Sequence, residues 1–200
     1  MRKIIVLTFL TLDGVMQAPG APNEDTSGDF KYGGWQQPFA DEYLGKLMSE
    51  QMSKPFDLLL GRITYDIFSS YWPKQTGDIA TLFNKATKFV VTHSDREFDW
   101  EKTVVVNKDI VEKIKKLKTE EGPDLQIYGS GNLVQTLLKN SLVDNLWLKI
   151  YPITIGSGKK LFAEGTIPKT WKMTRGEITP NGVIIANYES AGDIKTGTMT

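Results

Sequence analysis

Leu125-Gln126-Ile127-Tyr128-Gly129-Ser130-Gly131-Asn132-Leu133-Val134-Gln135-Thr136-Leu137-Leu138 is the stretch whose reading decides the fold. It reads as a short apolar strand, a tight turn carrying two glycines, and a helix whose apolar face is Leu133, Val134, Leu137 and Leu138. Glycine lets backbone N–H groups come close to a ligand because no Cβ stands in the way. The helix that follows leaves its first amides without intrahelical acceptors, at the positive end of its dipole. Such a junction is a site for phosphate. The three-glycine dinucleotide fingerprint is incomplete: Val134 stands where the third glycine belongs, and no acidic residue follows about 20 positions later. A plain strand-to-helix turn uses the same residues, so the stretch gains its weight from a second junction.

That junction is Asp57-Leu58-Leu59-Leu60-Gly61-Arg62-Ile63-Thr64-Tyr65-Asp66. Again an apolar strand ends in glycine and a helix begins, with Thr64 as its N-cap candidate and Ile67, Phe68 and Tyr71 on its apolar face. Arg62 offers a planar charge suited to bidentate phosphate binding, although an arginine in a turn is commonly a solvated surface residue. Two glycine-marked strand ends, one carrying Arg62, suit a ligand with two separated phosphate groups.

Working outward, apolar runs read as strands at Lys3–Leu10, Asp57–Leu60, Lys88–Thr92, Thr103–Val106, Leu125–Tyr128, Asn145–Tyr151, Trp171–Ile178 and Val183–Tyr188. Between the earlier runs lie helical stripes. One is Phe39, Tyr43, Leu44, Leu47, Met48 and Met52; a second is Ile79, Leu82, Phe83 and Ala86; a third is Ile110, Val111, Ile114 and Leu117. Asp109 with Glu112 resembles a capping box. Pro180-Asn181-Gly182 is a tight-turn signal joining the last two strands as a hairpin. Strand–helix alternation predicts an α/β fold: a mostly parallel sheet of about eight strands, an antiparallel C-terminal hairpin, and helices on both faces. Ligands of such sheets bind at the carboxyl ends of the strands. Gly61, Thr92 and Gly129 all sit at such ends and are expected to share one cleft.

Composition narrows the function. Lys plus Arg and Asp plus Glu both number 24, so the formal net charge is zero. Nucleic-acid binding normally needs a basic excess, and no nucleic-acid partner is expected. Cysteine is absent and there is one histidine, His93, which leaves no thiol nucleophile and no metal-ligand cluster. A reducing, cytoplasmic setting is expected. The apolar start Ile4–Leu10 runs into Thr11-Leu12-Asp13-Gly14 instead of a small-residue cleavage site, and reads as a buried first strand, not a secretory signal. No apolar run approaches the roughly 20 residues of a membrane helix. Residues 1–190 read as a single domain, and 191–200 as a polar, flexible tail. Residues 15–38, rich in glycine and proline and containing Trp35, show no element. A loop of that length reads as a lid or binding loop, or else as a disordered insertion.

The order and spacing of these features resemble the dihydrofolate-reductase-like superfamily. More closely, the chain is similar to the reductase domain at the C-terminus of the bifunctional deaminase-reductase of riboflavin biosynthesis and to its stand-alone bacterial relatives. The resemblance rests on Thr11-Leu12-Asp13-Gly14, on Gly61-Arg62-Ile63-Thr64-Tyr65-Asp66, on Tyr128-Gly129-Ser130-Gly131-Asn132-Leu133, and on Leu142-Val143-Asp144-Asn145-Leu146 leading to Pro152-Ile153-Thr154-Ile155-Gly156-Ser157-Gly158-Lys159-Lys160-Leu161-Phe162. It implies NADPH as cofactor, hydride transfer to a small heterocyclic or carbonyl substrate, and a homodimer. Carried onto this chain, it implies that Gly61, Arg62 and Thr64 hold phosphate at one helix start. Gly129, Ser130, Gly131, Asn132 and Leu133 would hold the pyrophosphate at the other, and Thr92, His93 and Ser94 would meet the adenosine phosphate. Trp35, Phe39, Tyr128 and Ile153 are its substrate-pocket candidates, and Asp13 its candidate for a polar role near the nicotinamide. The same Asp-Gly is also an ordinary turn signal.

Two departures bear on the substrate. Dihydrofolate reductases carry a carboxylate on the first helix, where this chain has Tyr43, Leu44 and Gly45, with Asp41 and Glu42 just before. The riboflavin-pathway reductases have Glu-Gly-Gly where this chain has Tyr128-Gly129-Ser130. A ribosylaminouracil phosphate therefore loses its expected partner, while the cofactor features stay. The leading reading is an NADPH-dependent reductase of a small substrate. The alternative, motivated by both missing carboxylates, is a catalytically silent NADP-binding sensor or regulator. A phosphate-transfer enzyme is disfavoured, because neither glycine turn ends in Gly-Lys-Ser/Thr.

Overall fold

The computed structural model describes residues 1–199. Eight strands form one sheet: β1 (Ile4–Thr11), β2 (Phe56–Gly61), β3 (Lys88–Val91), β4 (Thr103–Val106), β5 (Asp124–Tyr128), β6 (Asn145–Tyr151), β7 (Trp171–Ile178) and β8 (Ile184–Ser190). Their order is β4-β3-β2-β5-β1-β6-β8-β7. The pairs from β4 through β6 are parallel, while β8 runs antiparallel to both β6 and β7. The mostly parallel sheet with its antiparallel terminal hairpin is thus the one read from the strand–helix alternation. β1 lies near the middle with both faces covered, which is why its sequence is a continuous apolar run.

Five helices cover the sheet: α1 (Glu42–Gln51), α2 (Arg62–Tyr71), α3 (Asp78–Lys85), α4 (Ile110–Thr119) and α5 (Gly131–Lys139). On one face Ile4, Val6, Leu59, Leu125, Ile127, Leu146 and Leu148 pack against Ile114 and Leu117 of α4 and the whole apolar stripe of α5. On the other face Leu58, Leu60 and Val90 pack under Met52, Tyr65 and Phe83, from α1's end, α2 and α3. A third cluster gathers Val15, Trp35, Leu44, Leu47, Tyr151 and Ile185 beside the carboxyl ends of β1 and β6. Among the described residues, no helix is long and apolar enough to cross a membrane.

Several local expectations need correction. α2 is capped by Gly61, so Thr64 falls within the first turn and caps nothing. Asp109 precedes α4 with a left-handed backbone (φ 47°) and makes no side-chain cap; Glu112 instead pairs with Lys115 at 2.8 Å. The effective cap is Asp41, whose carboxylate accepts the Leu44 N–H at 2.6 Å and starts α1. Phe39 lies in a separate 3-10 turn, and Tyr43 is exposed with its hydroxyl on Glu177, so the buried stripe of α1 begins at Leu44. Residues 15–38 are packed. Val15, Ala18, Phe30 and Trp35 are buried, Gln17 ties the carbonyls of Asp25 and Ser27, and Lys159 pairs with Asp25 at 2.6 Å. The disordered-insertion reading of that segment is therefore set aside. In the tail, Ala191 and Gly192 pair with Thr170 through backbone hydrogen bonds; Thr200 lies outside the described residues.

Candidate functional site

β3, β2 and β5 are neighbours, so the junctions that follow them lie side by side. At the end of β2 the Gly61 N–H donates to Ser130 Oγ at 2.9 Å, and the Ser130 hydroxyl donates to Thr64 Oγ1 at 2.8 Å. The starts of α2 and α5 are thereby tied together. A Cβ on Gly61 would stand 3.2 Å from Ser130 Oγ and 3.3 Å from its Cβ, so a side chain there would push the two junctions apart. Gly129 (φ +75°) and Ser130 (φ +61°) both take left-handed backbone to turn strand into helix. That conformation is uncommon for serine, and its two hydrogen bonds hold it. The first-turn amides of Arg62, Ile63 and Thr64, and those of Gly131, Asn132 and Leu133, lack intrahelical acceptors by position. The Leu133 side chain is buried in the core, so its contribution to the cleft is its backbone N–H.

Cationic side chains border this cleft. Arg62 is half-exposed and pairs with Asp66 at 2.8 Å; Arg96 pairs with the same carboxylate and lies 4.7 Å from the centre of the Phe98 ring. Thr92 is buried and accepts the Ser94 N–H at 2.9 Å, a local turn at the end of β3 that leaves His93 exposed. Arg96 was not singled out by the sequence. Its signal was its place two residues beyond Ser94, on the same strand end.

Asp13 occupies the turn after β1. Its carboxylate accepts from the Thr11 hydroxyl and from the backbone N–H groups of Ile155 (3.2 Å) and Gly156 (2.7 Å). The Thr11 hydrogen bond is the main cause holding its pKa down at about 2, against the opposing cost of desolvation, with the Gly156 and Ile155 amides adding to the depression. The geometry is that of a clamp between the β1 turn and the glycine-flanked segment after β6.

Of the pocket candidates, three converge. Trp35 and Phe39 each meet the Tyr151 ring edge-on, at 5.3 and 5.7 Å, and Ile153 packs in the same cluster. Trp35 also donates to the Gln17 carbonyl at 2.7 Å. Tyr128 does not join them. Its ring packs on Phe83 at 5.1 Å and Phe68 at 6.3 Å, its hydroxyl donates to Gln126 at 2.6 Å, and burial pushes its pKa up. Tyr128 instead lines a small slot beneath α1 with Leu7, Thr8, Phe9, Met48, Gln51, Met52 and Lys149. The sequence reading missed Lys149, which is only 2 % exposed. Desolvation alone pulls its amine down to about 7.

The chain matches the RibD C-terminal domain family over residues 2–185. It is 26% identical over 196 residues to the protein YyaP of Bacillus subtilis, covering 96% of each chain. Among solved structures, it is similar to a candidate riboflavin biosynthesis protein from Shewanella sp. PV-4, with a TM-score of 0.73, 21% identity, and 94% and 99% of the two chains covered. A dihydrofolate reductase from Enterococcus faecalis, complexed with NADP(H), superposes with a TM-score of 0.57 at 13% identity, over 94% of this chain and 96% of that one. At these identities the structural likenesses establish the fold, which is dihydrofolate-reductase-like.

Proposed function

The chain belongs to the RibD C-terminal domain family, and from that premise we propose that it is an NADPH-dependent reductase of a small heterocyclic or carbonyl compound. The observation that carries the cofactor reading is the hydrogen-bonded chain Gly61 N–H, Ser130 Oγ, Thr64 Oγ1. It sets two helix N-termini beside each other, and each suits one phosphate. The donor set fits a dinucleotide. Gly61 lets Ser130 close against the start of α2, six first-turn amides supply donors, and Arg62 and Arg96 add positive charge beside the end of β3. Thr92, His93 and Ser94, with Arg96, are proposed to face the adenosine phosphate. When bound, the cofactor supplies a hydride; the protein's part is to hold, orient and shield the reactants.

Tests follow directly. Calorimetric titration at matched salt is expected to give tighter binding of NADPH than of NADH. Equal affinity would defeat the choice of cofactor. The substrate is proposed to be less polar than a ribosylaminouracil phosphate, because the Tyr128 phenol stands where a carboxylate would be needed. Losing that charge-assisted contact costs about 1.5–3 kcal/mol, so slow turnover of this compound is expected. A kcat/KM above about 10⁴ M⁻¹s⁻¹ with it would overturn the substrate class and leave the cofactor reading standing. One observation favours the silent-sensor reading: Asp13, the candidate for a polar role near the nicotinamide, has its oxygens committed to Thr11, Ile155 and Gly156. NADPH binding without oxidation across a broad panel of carbonyl compounds would decide for it.

A further inference from the structure

Asp66 holds two arginines at once. Arg62, one turn earlier in α2, donates to its Oδ2 at 2.8 Å, and Arg96, from the segment after β3, donates to its Oδ1. A pair four residues apart on a helix surface is ordinary; the second arginine is not. Arg96 is positioned from behind by groups other than Asp66. Its guanidinium lies 4.7 Å from the centre of the Phe98 ring, within cation–π reach. Phe98 in turn meets the buried Tyr65 ring of α2 edge-on at 5.1 Å, and the Arg96 N–H donates to Ser94 Oγ at 3.4 Å. Two like charges are thus brought together at the edge of the proposed cofactor cleft, with one carboxylate between them.

Two guanidiniums on separate oxygens of one anion is also how a phosphate monoester is held. At neutral pH such a phosphate bears about 1.5–2 negative charges and three strong acceptor oxygens. The carboxylate bears one charge and two oxygens, so the trio of Arg62, Asp66 and Arg96 keeps a net positive charge. All three side chains are part-exposed, at 47%, 32% and 48% respectively. Water competes for each bond, and ion pairs so placed are weak. An arriving phosphate displaces the carboxylate at small cost, yet Asp66 stays close by and opposes it through its own charge.

We propose that Asp66 is an internal competitor for the adenosine 2′-phosphate: it occupies Arg62 and Arg96 in the unliganded protein, is displaced when the phosphate arrives, and so lowers the affinity for NADPH without altering that for NADH. That the phosphate belongs to NADPH rests on the reductase reading. Asp66 tunes specificity through the two arginines and does not itself hold the cofactor. The oxidised cofactor bears the same phosphate, so its release is eased too. Removing the charge of Asp66 removes the competitor and makes this edge of the cleft more positive, and both changes favour the phosphate. Arg96 keeps its place on Phe98 and Ser94, so the site survives the change.

The test compares wild type with Asp66→Asn, which keeps the shape, and Asp66→Glu, which keeps the charge. Each is titrated calorimetrically with NADPH, NADH and adenosine 2′-monophosphate at matched low salt. Asp66→Asn is expected to bind NADPH and adenosine 2′-monophosphate at least about fivefold more tightly than wild type, and NADH within about twofold. Asp66→Glu is expected to return all three affinities towards wild type. An unchanged or weaker NADPH affinity in Asp66→Asn would overturn the proposal. So would an equal gain for NADPH and NADH, since the lost charge would then not face the 2′-phosphate. The nucleoside phosphate keeps the two readings apart. A gain for adenosine 2′-monophosphate, with NADPH bound by none of the proteins, would sink the cofactor reading alone. A preference for NADPH that is the same in wild type and Asp66→Asn would sink the competition alone.

Discussion

Lys149 makes a thermodynamic prediction. Its amine sits near 7 in the folded protein against an ordinary lysine value of 10.5. Between those values the unfolded chain binds the proton and the folded chain does not, so this residue makes stability rise with pH across that window. Below 7 both states are protonated and the burial penalty is fully felt. Lys149→Met removes the titration while nearly preserving volume. The stability of the variant relative to wild type is therefore expected to fall by roughly 2–4 kcal/mol between pH 7 and pH 10. Lys88, drawn down to about 8 by its own burial, titrates in both proteins and cancels. Parallel urea melts across that range, with no change in the difference, would contradict the assignment. Asp13 has the opposite sign. With its pKa held at about 2, it stabilises the fold above the ordinary carboxylate range and loses that contribution as pH falls towards 2. Asp13→Ala is expected to cost about 1–2 kcal/mol at neutral pH and to leave the NADPH dissociation constant unchanged, which thermal melts and calorimetry check together.

At the scale of elements, the two glycine junctions were legible because each combines a β-run, a glycine and a helical stripe within about a dozen residues. Their coupling was not legible, since Ser130 reaches Gly61 and Thr64 across 69 and 66 positions of sequence. Gly61→Ala is expected to weaken NADPH binding by roughly tenfold, because its Cβ would crowd the Ser130 hydroxyl. Arg62→Ala is expected to cost about 1.5–3 kcal/mol if the guanidinium leaves Asp66 for phosphate; an unchanged affinity in both variants would remove the cleft from consideration. The capping signals at Asp109 and Thr64 misled because short polar side chains near a helix start have several uses. Asp109 enters α4 through a left-handed turn, and Thr64 spends its hydroxyl as the acceptor for Ser130. Lys149 escaped notice for a different reason. β6 is covered on both faces, so its sequence reads as an apolar run, and a single lysine within it carries no periodic signal. Only the register with Phe9 turns it inward under α1.

At the scale of the whole molecule, a homodimer needs an exposed surface, and the apolar run Leu146–Tyr151 does not supply it: β6 lies between β1 and β8, and Leu146, Leu148, Lys149 and Tyr151 are buried within the chain. The outer strand on that side is β7. Its edge is interrupted by an irregularity between Met173 and Arg175, a feature that discourages strand-to-strand pairing. The apolar surface there lies on the hairpin itself. Ile178 is 70% exposed and pairs across the strands with Ile184, while Met173 is 51% exposed. Lys172, Arg175, Glu177 and Glu189 point to the opposite face of the hairpin, so the face carrying Ile178, Ile184 and Met173 is apolar and exposed. Exposed apolar patches mark association sites. A homodimer formed through this hairpin is accordingly expected, and light scattering across micromolar concentrations should return twice the chain mass. Ile178→Lys places a charge at the centre of that surface, at a position already open to water, so it should give a folded monomer with an unchanged thermal melt at dilution. A wild-type monomer throughout that range would eliminate the dimer. A dimer indifferent to Ile178→Lys would move the interface to the opposite edge, where β4 exposes Val104 and Val105.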